Sequence, residues 1–336
     1  MVRRLVDLAD IEIKQVSDRA AMALPGHYSP TRFTDVGREL AELRGEPIDA
    51  VLAVLESREA PVARRFAAGS LLALAGDPRI TDEPAMIELP GARATIGLAR
   101  DQLDGVVGAY RAYGVKREWI EKECPAHIVE LAPFRIARYP VTNLEYRRFL
   151  EDTAFPEIPT SWALGCVPLW AANHPVYTVT ATAAERYVAW LGRQLGRALR
   201  LPREAEWEYA AGGPAGREFP WGATFDVECA NTVELGALCT TPVGMFPRGT
   251  SYFGLSDMGG NVEEYVADDY LPYPGATVIA DDLLTRAGSY RIARGGSFAR
   301  FADLARCKRR HGHYERPIYA MGFRIAEDCT AGTNQP

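Results

Sequence analysis

The stretch "ARGGSFARFADLARCKRR" (Ala293–Arg310) decides how the chain is read. Gly295 and Gly296 allow backbone angles that a Cβ would forbid, so a tight turn is expected there. Beyond the turn, Arg300, Arg306, Lys308, Arg309 and Arg310 crowd around a single thiol, Cys307. Neighbouring cations lower a thiol's pKa and favour the reactive thiolate. Yet neighbours in an extended strand point to opposite faces, so the same spelling fits a small residue buried in a corner of the fold. Just downstream, "RRHGHYE" (Arg309–Glu315) sets His311 and His313 two residues apart. If extended, both imidazoles share a face and could bind a metal together with Glu315, against the repulsion of Arg309 and Arg310.

Working outward, composition narrows the class. At 336 residues the chain exceeds the ~100–200 residues of one ordinary domain. Apolar residues make up 47%, enough for a large core, and the net charge of −6 disfavours nucleic acid as a partner. The start, "MVRRLVDLADIEIKQ", has charges where a signal peptide needs an apolar run, and no run reaches the ~20 apolar residues of a membrane span. Cys124, Cys166, Cys229, Cys239, Cys307 and Cys329 show no C-x-x-C spacing. Reduced thiols and a cytoplasmic location, away from membranes, are expected.

Residues 1–80 read as helical. In "APVARRFAAGSLLALAGDPRI" (Ala60–Ile80), Pro61 suits a first turn, Val62, Phe66, Gly69 and Ala73 share a face, and Gly76 and Pro78 end the helix. After Glu88, short β-branched and aromatic runs alternate with turns. Two helical patterns stand out there: Thr142–Thr153, with Thr142 and Glu145 as a capping box, and Thr180–Gly196. The fold class is α+β with much irregular structure, preceded by a small all-α region, either helical-repeat-like or a bundle that caps the next domain.

The order "FRIARYPVTNLEYRRFL", "HPVYTVTATAAERYVAWLG", "LRLPREAEWEYAAGG", "FPWG", "PVGMFP", "GLSDMGGNVEEY", "RGGSF", "MGFRIA" resembles the formylglycine-generating enzyme or sulfatase-modifying-factor family. The resemblance implies a C-type-lectin-like fold over residues 87–328, after the helical region 1–80 and before a tail, 329–336. The family's copper enzymes carry two cysteines just after the Gly-Gly-Ser turn, a soft pair suited to Cu(I). Here Ser297 closes that turn, Arg300 stands where the first cysteine is expected, and the segment Phe301–Ala305 has none. Iron-dependent relatives take ligands from a helical bundle with an H-x-x-x-H-x-E motif, which residues 1–80 lack.

The resemblance also implies structural calcium at Asp257, the carbonyls of Gly260 and Val262, and Glu264, with a second site at Asn231 and Thr232 whose usual aspartate is missing. Hard oxygen ligands on a turn suit Ca²⁺. Candidate catalytic residues are Ser297, Arg300, Cys307, His311 and His313, with iron or copper as the metal. Arg306, Arg310 and Arg324 match arginines that the resemblance implies are structural; the remaining cations Arg291, Arg294, Arg300, Lys308, Arg309 and Arg316, with His311, His313, Tyr314 and Tyr319, are expected to line a cleft for an anionic or aromatic small molecule or peptide. The expected function is a metal-dependent oxidase or oxygenase of the non-haem iron branch, not a copper formylglycine-generating enzyme. The alternative is a catalytically inactive binding or regulatory module using the face around Arg300–Tyr319.

Overall fold

Helix caps foreseen in the sequence set the frame. The computed structural model describes residues 7–9, 11–28, 33 and 35–329. Thr142 accepts from the Glu145 amide while Glu145 accepts from the Thr142 amide, and this capping box starts the helix Asn143–Thr153. Thr180 caps Ala181–Leu195, which ends at Gly196 in the left-handed region. Both helices bury one face around Tyr146, Phe149, Tyr187 and Val188.

Among the described residues ten strands form three small sheets: β1 (Met86–Leu89), β2 (Ala92–Ile96), β3 (His127–Leu131), β4 (Phe134–Ala137), β5 (Leu199–Arg200), β6 (Glu263–Asp269), β7 (Arg291–Arg294), β8 (His311–Gly312), β9 (Met321–Phe323) and β10 (Ala326–Asp328). The orders are β1-β4-β10-β5, β2-β3 and β8-β7-β6-β9. In the last sheet β7 and β8 run antiparallel to their neighbours and β9 runs parallel to β6. Sheets this short leave irregular backbone between them, as expected of the α+β class. Three helices lie where no helical period was read in the sequence: Leu103–Tyr110, Arg117–Glu121 and Asp282–Ala287. The first two lie between β2 and β3, and the third between β6 and β7.

The N-terminal region is not one unit. Helices Val36–Leu43, Ile48–Leu55 and Val62–Ala75 pack together and onto Leu235, Ala237, Met245 and Phe246 of the main domain. Contact is close: a Cβ at Gly69 would lie 2.3 Å from Pro242 Cγ. Leu8, Ile13, Ala21 and Met22 instead join the core with Phe298, Phe301 and Tyr319. The residues before the three-helix unit are therefore a segment laid over the turn quoted above. Of the tail 329–336, all but Cys329 lie outside the described residues.

Candidate functional site

The Gly-Gly-Ser turn forms as anticipated. Gly295 and Gly296 have φ of +93° and +67°, and a Cβ on Gly296 would lie 2.8 Å from the Leu304 carbonyl carbon. The chain can thus fold back on itself so tightly only with glycine there. Ser297 is fully buried, and its hydroxyl has no hydrogen-bond partner among the described residues.

The residues that follow divide sharply. Cys307 is buried, and burial, with Glu208 nearby, pushes its thiol far above the ordinary range. Its amide donates to the Glu218 carbonyl, and its two neighbours are engaged elsewhere, Arg306 with Glu123 and Glu218 and Lys308 with the Gly216 carbonyl. Cys307 is a core residue, so its assignment as a catalytic candidate is corrected.

The expected cationic cleft is corrected as well, while Arg306, Arg310 and Arg324 hold buried ion pairs, the structural role the family resemblance implied for them. Arg294 pairs with Glu204 and Glu208, Arg306 with Glu123 and Glu218, Arg310 with Glu204, and Arg324 with Glu264. Arg309 faces Asp303 at 3.6 Å, Arg291 holds Asp269 and Glu185, and Arg316 holds Asp18. Buried charges require such partners. Sequence spacing could not reveal them, because the acids come from distant segments.

Arg300 differs. Its guanidinium lies 4.8 Å from the Tyr319 ring centroid, and it makes no ion pair among the described residues. Tyr319 in turn stacks on His311, centroids 5.4 Å apart with planes 17° from parallel. His311 Nδ1 lies 2.5 Å from Glu263 Oε2. Burial lowers the His311 pKa to about 4, with Arg300 and Arg309 adding to that and Glu263 opposing it. Burial alone would raise the Glu263 carboxyl; His311 and the two arginines bring the net shift downward. At neutral pH the pair is a neutral imidazole whose Nδ1–H donates to a carboxylate.

His313 stands apart, exposed, and Glu315 pairs with Arg286. No three His, Cys, Asp or Glu side chains gather among the described residues. The anticipated set of His311, His313 and Glu315 therefore does not converge, and the residues present do not fit a three-ligand iron centre or a two-thiolate copper centre.

A cavity of about 20 Å³, room for a single water, lies between this face and the N-terminal segment. Lys14, Trp119, Lys122, Asp281, Asp282, Arg300, His311, Tyr314 and Tyr319 are among its walls. Only Arg300, His311, Tyr314 and Tyr319 were anticipated; the others come from helices and loops that composition gave no reason to single out. Glu263 was hidden by its neighbour: alternation along β6 sends Glu263 to this face and Glu264 to the other. A larger cavity, about 410 Å³, lies between Asn143–Thr153 and Ala181–Leu195. Its acids are already taken, Asp152 by Trp190 and Gln194, Glu145 by Thr142 and Asp82 by Arg148.

The calcium expectations invert. Glu264 accepts from Trp207 at 2.7 Å and holds Arg324 through both oxygens, at 2.6 and 2.5 Å. Asp257 accepts from the Gly244 amide and from Asn261. The Gly260 carbonyl accepts from the Val262 amide. Of the loop Asp257, Gly260, Val262 and Glu264, both carboxylates are already held by protein donors, so the set does not fit a cation. By contrast, Asn231 Oδ1, Thr232 Oγ1 and Glu234 Oε2 are buried oxygens without a partner among the described residues. Their chemistry fits a hard cation, with Glu234 in place of the missing aspartate.

Similarity to known proteins agrees with this architecture. Hercynine oxygenase of Mycolicibacterium thermoresistibile is 33% identical over 65% of this chain, which spans 56% of that protein. Mouse inactive C-alpha-formylglycine-generating enzyme 2 is 31% identical, with 77% of this chain and 92% of that protein covered. The structure of PvdO from Pseudomonas aeruginosa superimposes with a TM-score of 0.55 at 26% identity, covering 74% of this chain and 96% of that one. Residues 73–329 match the family described as sulfatase-modifying factor enzyme 1-like domain, and the chain belongs to that family.

Proposed function

We propose that this chain is a ligand-binding member of its family, and that the face around Arg300–Tyr319 recognises a small acid, preferably one carried on an aromatic ring. The observation that carries this reading is Arg300: a guanidinium stacked on Tyr319, lining a cavity, with no carboxylate paired to it among the described residues. A desolvated guanidinium presents a planar fork that suits a carboxylate, and Tyr314 and Tyr319 offer ring contacts. The cavity as it stands holds no more than a water, so the ligand enters when the N-terminal segment yields. Similarity to a mouse protein named as inactive is in keeping with binding without turnover.

Titration with benzoate, followed by calorimetry, tests the reading. Arg300→Ala should lower affinity about tenfold or more, and Arg300→Lys should keep part of it. Equal affinity in wild type and Arg300→Ala, or no binding even after removal of the N-terminal segment, would overturn it. An oxygenase is the second reading, favoured by the hercynine oxygenase relatives and by the His311–Glu263 pair. Iron or copper retained stoichiometrically by untagged protein would favour it over simple binding.

A further inference from the structure

The N-terminal segment brings one cation to a place where the main domain supplies walls for it. Lys14 Nζ lies 4.4 Å from the Tyr314 ring centroid and 5.9 Å from that of Trp119. One carboxylate oxygen of Asp282 pairs with Lys14, and the other accepts from the Trp119 indole N–H at 3.3 Å. Two rings and a carboxylate are what an ammonium needs once water has been stripped from it. Other cations also border these rings, Lys116 at 5.7 Å from the Trp119 centroid and Arg286 at 4.7 Å from that of Tyr314, but each has a carboxylate partner of its own. Asp281 pairs with Lys122 at 2.5 Å, Lys116 with Glu12, and Arg286 with Glu315.

The walls and the occupant have different origins. Trp119, Asp282 and Tyr314 sit on separate parts of the main domain, whereas residues 11–16 around Lys14 form neither helix nor strand. Arg316 anchors that stretch from the side, through the Ile13 and Val16 carbonyls and Asp18. The anchor would hold the segment in place without Lys14, so the ammonium is not required for docking. Burial also lowers the Lys14 pKa to about 8, despite Asp281, so its charge is kept at a cost. The cavity beside it gives an incoming group a place to start.

We infer that Trp119, Asp282 and Tyr314 form a recognition site for a primary ammonium group, with Lys14 as its built-in occupant, and that an amine-bearing ligand binds by displacing Lys14. This goes beyond the acid site at Arg300, with which it shares Tyr314 and the cavity but not its carboxylate, Asp282. The amine could belong to a free alkylamine or to a lysine of a peptide; both present the same head group.

Full-length protein and its Lys14→Met variant are titrated with butylammonium chloride, with sodium chloride at equal ionic strength as the control. The reporter is the Trp119 indole N–H resonance, which senses Asp282 directly. Lys14→Met frees Asp282 of its ammonium partner while keeping an aliphatic chain, and should bind about tenfold or more tightly than wild type. Adding Asp282→Asn to that variant should remove the gain. Lys14→Gln repeats the comparison should the Met variant not fold. A short lysine-containing peptide run in parallel separates the two sources: tighter binding of the peptide assigns a peptide partner, and tighter binding of butylammonium a small amine. Equal affinity with and without Lys14, or indifference to Asp282→Asn, overturns the proposal. Arg300→Ala should remove benzoate binding and leave butylammonium binding unchanged, so failure of either site is seen separately.

Discussion

At the scale of single residues, burial decides protonation. His174 is fully buried with Nδ1 3.1 Å from the Thr240 hydroxyl, and burial lowers its pKa from 6.5 to about 3. His311 is lowered to about 4. An unfolded histidine takes up a proton as pH falls below about 6.5, and the native ring does not. The stability these residues contribute is therefore complete above about pH 6.5 and drains away toward pH 4 and 3. Asp257 acts in the opposite sense. Burial raises it to about 6 against the Gly244 amide, the charge of Arg324 and the Asn261 amide, so its contribution is lost as pH rises from its ordinary 3.8 through 6. His174→Asn should flatten the acid limb of the stability curve by one proton, about 1.4 kcal/mol per pH unit between pH 6 and 4. Denaturant melts across that range check this, and parallel curves for the two proteins would contradict it. Cys307 teaches a related lesson. Its basic neighbours were plain in the sequence, but the direction in which each side chain leaves the backbone was not, and that direction makes the thiol inert.

At the scale of elements, what the sequence made legible was local. The capping box at Thr142, the cap and stop around Ala181–Leu195, and the Gly295–Gly296 turn all depend on residues within a few positions of each other. What it hid were partnerships across the chain, such as Arg306 with Glu123 or Trp207 with Glu264. β6 shows the consequence, since Glu263 and Glu264 serve opposite faces and only the second had been noticed. Breaking the Glu264–Arg324 pair leaves a buried guanidinium uncompensated. Glu264→Ala should cost about 3–5 kcal/mol whether calcium or a chelator is present. Calcium should raise the melting temperature of wild type through the unpartnered oxygens of the Asn231–Glu234 turn. Glu234→Gln should abolish that rise while Glu264→Ala keeps it. Identical melts of wild type in calcium and chelator would remove the cation from this turn.

At the scale of the whole molecule, the helical unit and the main domain share apolar surface. A boundary at residue 80 looked natural because helical periodicity stops there, and periodicity reports what an element is, not what it packs against. Leu235, Ala237, Met245 and Phe246 complete the core of the three helices, and Asn173 donates to the Gly69 carbonyl and to Asp77. A fragment beginning at Ile80 would expose that surface and strand Asn173. The segment before the helices buries far fewer large side chains, chiefly Leu8, Ile13 and Met22 over Phe298, Phe301 and Tyr319. Removing residues 1–24 should therefore leave a soluble protein with a cooperative melt, lowered by several degrees. It should also open the cavity beneath Lys14, so that benzoate and butylammonium both bind faster than they do to the full chain. Removing residues 1–79 should instead give a protein that binds a hydrophobic dye and melts without cooperativity. Thermal melts, dye binding and stopped-flow association on the two truncations decide the point. If the longer truncation is as well folded as the shorter one, the helices only rest on the main domain. If the shorter truncation binds no faster than the full chain, the segment covers the site without controlling entry to it.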